Sequence, residues 1–403
     1  MEKFVVATNV KVSNHIPDDL AFFILSKLSI KSLYRFGCVR KAWTLLFENP
    51  QFMIMYRNYF LYNNHSYYDG ASILLSHCLV PSGEPGEQNE LLYSTLYLLS
   101  GDRFENRVKL DWPPPFHEDD SFIDILSSVC VNGTLCLTQG SNLDAKCVFW
   151  NPTTDEFKVI PPSPFEYIRY HDTMKTFHGF GYDHVKDDYK VIRRLDFFVD
   201  SQVDQPYEAD EPYEADVGFP SMWEIYSLRS NSWRKLDVDM PFCSRYDGVY
   251  MDGFCHWSGE DDYLSLSKVG PCLVSFDLCN EVFLTTPLPS DMVDDCDILR
   301  MVLLNGSIAF IIYDESTTFH IRILGELGVK ESWANVFIVK PLPCAQHLIG
   351  VGEKGGIFLR KNDDELVWYD MSTQTIEELG VKISRGYCNI VVYKDSLLPI
   401  VGL

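Results

Sequence analysis

Thiols, imidazoles and carboxylates are the side chains of this chain that could make or break bonds, so their spacing decides which chemistries are open. Cys255-His256 places a thiol beside a base, but neighbouring residues of a strand point to opposite faces, which argues against a joint nucleophile or metal role. His171, His178 and His184 fall in turn-rich sequence without metal-ligand spacing. Gly352-Glu353-Lys354-Gly355-Gly356 lacks the spacing of a phosphate-cradling loop, and the chain has no GxSxG elbow, no HExxH pair and no glycine-rich dinucleotide fingerprint. With 57 Asp and Glu in 403 residues, paired carboxylates are expected throughout and single out no glycosidase centre. The twelve cysteines are scattered through strand-like runs with no CxxC pair, as expected of buried reduced thiols. These residues predict no catalytic site, no metal and no cofactor. Binding remains, and two kinds of element would have to present it.

Residues 16–52 read as helices. Leu20, Phe23, Ile24 and Leu28 share one stripe at helical spacing. Asp18 and Asp19 fall in the first turn, where the helix dipole favours carboxylates, and Pro17 stands where a missing N–H costs nothing. After Ser29 a second run sets Leu33 with Phe36, a third sets Val39, Trp43 and Phe47 four residues apart, and Pro50 is expected to end the run.

Beyond residue 70 the period changes. Short β-rich runs bounded by Gly, Pro, Asn and Asp recur to the C-terminus. One hairpin unit returns at Val148, Trp223, Leu273 and Leu366, and Asn132-Gly133 and Asn305-Gly306 read as turns rather than glycosylation sites. Antiparallel units at this spacing predict a β-propeller, with two stacked β-sandwiches as the competing layout. Six blades are expected at 72–112, 122–162, 177–236, 245–289, 298–340 and 346–381, with residues 387–400 completing the first blade and closing the ring. The expected fold is a small all-α module followed by an all-β domain, a six-bladed propeller closed by the C-terminal strand. The corresponding segments are a disordered terminus at 1–13, a helical module at 14–60 and the propeller at 61–403.

Charge separates the same two parts. Residues 1–60 hold eight Lys/Arg against four acids, a net of +4, which leaves −27 on the rest of a chain whose total is −23. An acidic body attracts basic proteins and repels nucleic acid. Part of this charge lies in an insertion at 199–220, where PYEAD occurs twice, and further clusters lie at 118–120, 260–262 and 291–297. A disordered solvated loop accounts for the insertion as it stands. No run approaches the length of a membrane span and the first residues lack a signal-peptide core, so a soluble intracellular protein is expected, cytoplasmic or nuclear, with no membrane partner.

The helical segment resembles the F-box, the short module that docks on the Skp-family adaptor of cullin-RING ubiquitin ligases. The resemblance rests on Ile16-Pro17, Asp18-Asp19 before Leu20, Ile24-Leu25, Leu28, Leu33, Arg35-Phe36, Cys38-Val39, Lys41, Trp43 and Asn49-Pro50-Gln51-Phe52. Many F-boxes have Leu at the position of Ile16 and Ser at that of Arg40. The resemblance implies that Pro17, Leu20, Ile24, Leu28, Leu33, Val39 and Trp43 divide between the module's core and the adaptor interface, in an order the sequence leaves open.

The body resembles the plant F-box-associated interaction domain, the type behind the F-box in S-locus F-box and F-box/kelch proteins. The matching stretches are Trp150-Asn151-Pro152-Thr153-Thr154, Gly179-Phe180-Gly181-Tyr182-Asp183, Asp188-Tyr189-Lys190-Val191, Tyr226-Ser227-Leu228 with Ser232-Trp233-Arg234, Gly253 with His256-Trp257, and Ser275-Phe276-Asp277-Leu278. Read as residues, Trp150, Trp233 and Trp257 suit packing between blades, and Gly181 and Gly253 suit turns or close approaches. Together the resemblances imply a non-catalytic substrate receptor that brings a target protein, with basic proteins favoured, to the ligase. A propeller enzyme with a channel-mouth site and an adaptor-bound scaffold are the alternatives.

Overall fold

The computed structural model describes residues 16–40, 43, 45–62, 71–79, 93–117, 123–140, 145–165, 171–199, 221–238, 240–241, 248–259, 270–292, 298–313, 318–339, 345–352, 356–383 and 388–400. The N-terminal segment 1–13, the insertion at 200–220 and the acidic clusters at 118–120, 260–262 and 293–297 lie outside them. The chain divides into two compact units, Met1–His65 and Ser66–Leu403.

The first unit is helical. Helix α1 spans Asp18–Leu25 and α2 spans Ile30–Gly37, where the Ser29 hydroxyl accepts from the Ser32 N–H. A 3-10 turn at Leu46–Glu48 leads into α3, Pro50–Tyr62. Pro50 was expected to stop the helical run and instead starts its longest helix. The side-chain oxygen of Asn49 accepts from the N–H groups of Gln51 and Phe52 at 3.0 and 3.1 Å, so Asn49 caps α3 and Pro50 takes the first helical position, where its ring is tolerated.

The second unit is a propeller of six four-stranded antiparallel sheets. Strands β1 (Ser72–Leu79), β2 (Tyr93–Ser100) and β3 (Asn106–Leu110) are joined on the inner side by the last strand, β24 (Cys388–Tyr393). Strands β4 to β7 lie within 123–159, β8 to β11 within 171–236, β12 to β15 within 249–287, β16 to β19 within 298–339 and β20 to β23 within 345–382. The spacing-based blades are met within a few residues, the third starting six residues earlier. Ser72 pairs with Tyr393 and His77 with Cys388 in the ladder that closes the ring.

Turn chemistry explains why the repeat is visible in sequence. The inner hairpins of the second, fourth and fifth blades turn at Asn132-Gly133, Asp252-Gly253 and Asn305-Gly306, with both residues of each pair at positive φ, the geometry that matches strand twist. The outer hairpins turn through four residues, the last left-handed at Asp155, Asn231, Glu281 and Gln374. Their first side chain often caps the turn: Asn151 accepts from the Thr153 N–H, Asp277 from Cys279 and Asn280, and Asp370 from Ser372.

Packing between blades uses the expected residues. Trp150 joins Leu74, Trp112, Val391 and Tyr393 in one core cluster. Trp257 stacks on Trp223 at 6.0 Å, and the Trp233 indole donates to the Pro161 carbonyl at 2.8 Å. A Cβ on Gly181 would stand 2.3 Å from the Tyr250 ring, so only glycine lets these two blades approach this closely.

Candidate functional site

In the helical unit the core is built on α3. Phe52, Tyr56 and Phe60 stack along it at centroid distances of 6.3 and 5.9 Å, as residues four apart on a helix must. Ala21 and Leu25 of α1, Ile30 and Leu33 of α2, and Leu46 are buried in the same unit, and Phe22 meets Phe52 edge-on at 6.0 Å. The apolar stripe read from the sequence lies on the other side of α1. Leu20 is 51% exposed and Ile24 49%, and Phe23 is equally open. Residues 21, 22 and 25 suffice to pack a helix of eight residues, so the larger stripe is left outward.

Tyr34, Phe36, Val39 and Leu45 extend the exposed apolar set, Val39 being 75% exposed. Of the seven residues implied by resemblance, Pro17, Leu20, Ile24 and Val39 are exposed, Leu28 and Trp43 are half-buried, and Leu33 is 1% exposed. Leu33 thus falls on the core side of the division that the resemblance left open, and Phe36, aligned with it in the sequence, is exposed. Trp43 packs edge-on against Phe36 at 6.0 Å, with the Arg40 guanidinium 5.5 Å from its ring. Arg40 also reaches Asp18 at 3.7 Å, tying the segment after α2 to the start of α1. Lys27, its ammonium 3.8 Å from the Phe23 ring, and the exposed Lys31 and Arg35 add positive charge. Covering each half-open apolar side chain would contribute roughly 1 kcal/mol. Tyr34 and Leu45 were missed by sequence reasoning because neither sits on the counted stripe.

In the propeller three of the reactive-looking residues, Cys255, His256 and His178, are held in the interior. Cys255 and His256 are both buried. Burial pushes the Cys255 thiol well up and the His256 imidazole down to about 3, while His256 Nδ1 meets the Ser275 hydroxyl at 2.9 Å. His178 lies against Trp223 and Trp257 at 4.6 and 5.7 Å, and burial, with Arg194 nearby, lowers it to about 3. Of the acidic cluster at 291–297, Asp291 is described and pairs with Arg322 at 2.5 Å.

Sequence reasoning assigned no role to the charged joint between the third and fourth blades. Lys190 Nζ contacts Asp183 at 2.8 Å and Glu281 at 3.0 Å and donates to the Leu278 carbonyl at 2.6 Å. Within the third blade, Arg193 meets Glu224 at 2.6 Å beneath the Trp233 ring. Both cations lie in or beside stretches that carried the resemblance, so their positions were marked although their pairing was not.

The family described as the F-box associated beta propeller domain matches residues 92–400. F-box protein CPR1 of Arabidopsis thaliana is 26% identical over 261 residues, covering 60% of this chain and 61% of that protein. Another F-box protein of the same plant is 29% identical over 284 residues, covering 69% and 62%. An F-box/kelch-repeat protein is 26% identical over 282 residues, covering 68% and 61%. The matches span about three-fifths of the length of these relatives.

Proposed function

The chain belongs to the F-box associated beta propeller family, and from that premise we propose that it is the substrate-recognition subunit of an SCF-type ubiquitin ligase. The observation that carries this reading is the apolar face of the helical unit, with Leu20, Phe23, Ile24, Tyr34, Phe36, Val39 and Leu45 exposed. A small unit that spends its helices on an outward apolar surface is built to bind another protein. We assign Pro17, Leu20, Ile24 and Val39 to contact with a Skp-family adaptor, Leu28 and Trp43 to the margin of that contact, and Leu33 to the support beneath it. The adaptor links the chain to a cullin-RING core.

The propeller supplies the second surface, its loops joined to a rigid frame. The excess of acid outside residues 1–60 favours basic target proteins through electrostatic steering. This subunit breaks no bond itself. It raises the local concentration of target lysines near a ubiquitin-loaded enzyme, in the cytoplasm or nucleus. The test is copurification of the full chain from its tissue, compared with a Leu20→Glu/Ile24→Glu variant. Adaptor and cullin should accompany the first and be absent from the second, with a target protein retained by both. Equal adaptor recovery would overturn the assignment.

A further inference from the structure

The inner strands of successive blades, β8, β12, β16, β20 and β24, neighbour one another around the propeller axis. Arg300 on β16 donates to the Leu348 carbonyl of β20 at 3.3 Å and to Asn389 Oδ1 of β24 at 3.2 Å. A side chain that touches the inner strand two blades away runs across the central channel rather than within one blade interface. Arg300 and Asn389 each stand four residues before the last residue of their inner strands, Leu304 and Tyr393, and exposed His347 holds the same place on β20.

This cation is unusual in its partners. Both of its acceptors are neutral, and no carboxylate pairs with it among the described residues, although the protein carries 57 acids. A guanidinium has five N–H donors and stays charged at every accessible pH. The two bonds fix its plane and leave further donors unused, and the Asn389 amide nitrogen beside it has no protein acceptor among the described residues. Asn389 itself is buried. Convergent fixed donors around a half-buried cation are what an oxyanion requires.

We propose that Arg300 and Asn389 form a binding site within the propeller channel for a carboxylate or phosphate group of a small molecule. The site lies on β16 and β24, both in the second unit. Long-range charge opposes any anion here, because the protein carries a net charge of −23. A specific response must therefore come from local donors, and general screening would act alike for all anions at equal ionic strength.

The experiment measures the thermal midpoint of the full chain while inorganic phosphate, acetate or chloride is titrated at constant ionic strength. Phosphate or acetate should raise Tm saturably, by about 2 °C at ten times the Kd, where chloride does not. A response to phosphate alone identifies a phosphate group, and one to acetate a carboxylate. Asn389→Asp, a nearly isosteric change that brings an internal carboxylate to the guanidinium, should raise Tm without added anion and abolish the response. Arg300→Gln should also abolish it. No difference between the three anions overturns the proposal, as does a response that survives in both variants.

Discussion

The side-chain amide of Asn151 donates to the Ser396 carbonyl at 3.0 Å and to the Leu398 carbonyl at 3.2 Å, across separations of 245 and 247 residues. The ring is thus fastened twice. Strand β24 closes the first blade, and the tail after it is pinned to the second. Tyr393 adds a 2.6 Å contact to the Thr153 hydroxyl, and Glu156 accepts from the Ile400 N–H at 2.9 Å. Asn151→Leu should therefore destabilise the propeller by about 1–3 kcal/mol, the cost of stranding buried carbonyls. Deleting the residues after Lys394 should cost more, because it also removes the buried side chains of Leu397, Leu398 and Ile400 and uncovers the surface they pack on. Urea unfolding of the full chain measures both.

In the helical unit the proposed docking and folding should be separable by mutation. Leu20→Glu should leave its stability within about 0.5 kcal/mol, as for an exposed position, while removing adaptor binding. Leu33→Ala, at a buried position, should cost about 2–5 kcal/mol. Circular dichroism melts paired with adaptor pull-downs distinguish the two. Equal losses of stability would count against the surface assignment.

The joint at Lys190 should be sensitive to either sign of charge. Lys190→Met leaves the buried Asp183 with only the exposed Lys186, 4.0 Å away, and breaking a buried pair from one side costs about 3–5 kcal/mol. Burial pushes the Asp183 carboxyl up, but its bonds to Lys190 and to the N–H groups of Lys186 and Val185 outweigh this and leave it below the ordinary value. A depressed carboxylate contributes stability that is complete above its unfolded pKa, about 3.9, and is lost as pH falls through the folded value. Between pH 5 and 2 the unfolding free energy of the native chain should fall more steeply than that of the Lys190→Met variant.

His178 and His256 should act at higher pH. Both are held down to about 3, burial being the first cause, whereas an unfolded imidazole titrates near 6.5. The unfolded chain therefore binds protons first as pH drops. Stability is full above about 6.5 and declines from there towards 3, by about 1.4 kcal/mol per pH unit for each ring. His178→Phe, between its two tryptophans, should reduce that slope by one proton. Urea midpoints at pH 7, 6 and 5 for both proteins check it, and an unchanged slope would show that His178 titrates normally.

The sequence alone determined the order of elements, because turn chemistry and periodicity are local. Asn-Gly and Asp-Gly pairs with positive φ, and four-residue turns capped by Asn151, Asp277 and Asp370, mark hairpins wherever they occur. Their spacing counts blades and leaves one strand over for β1. The family stretches were legible for the same reason. Local pattern could not decide which side of α1 faces inward, since Leu20, Ile24, Ala21 and Leu25 are all apolar. That choice depends on the aromatic column of α3, which Pro50 begins rather than prevents once Asn49 caps it. Nor could it pair Lys190 with Glu281, Asn151 with Ser396, or Arg300 with Asn389. Those contacts join residues far apart in the chain: blade-on-blade packing brings Lys190 to Glu281, and ring closure brings Asn151 to Ser396 and Arg300 to Asn389.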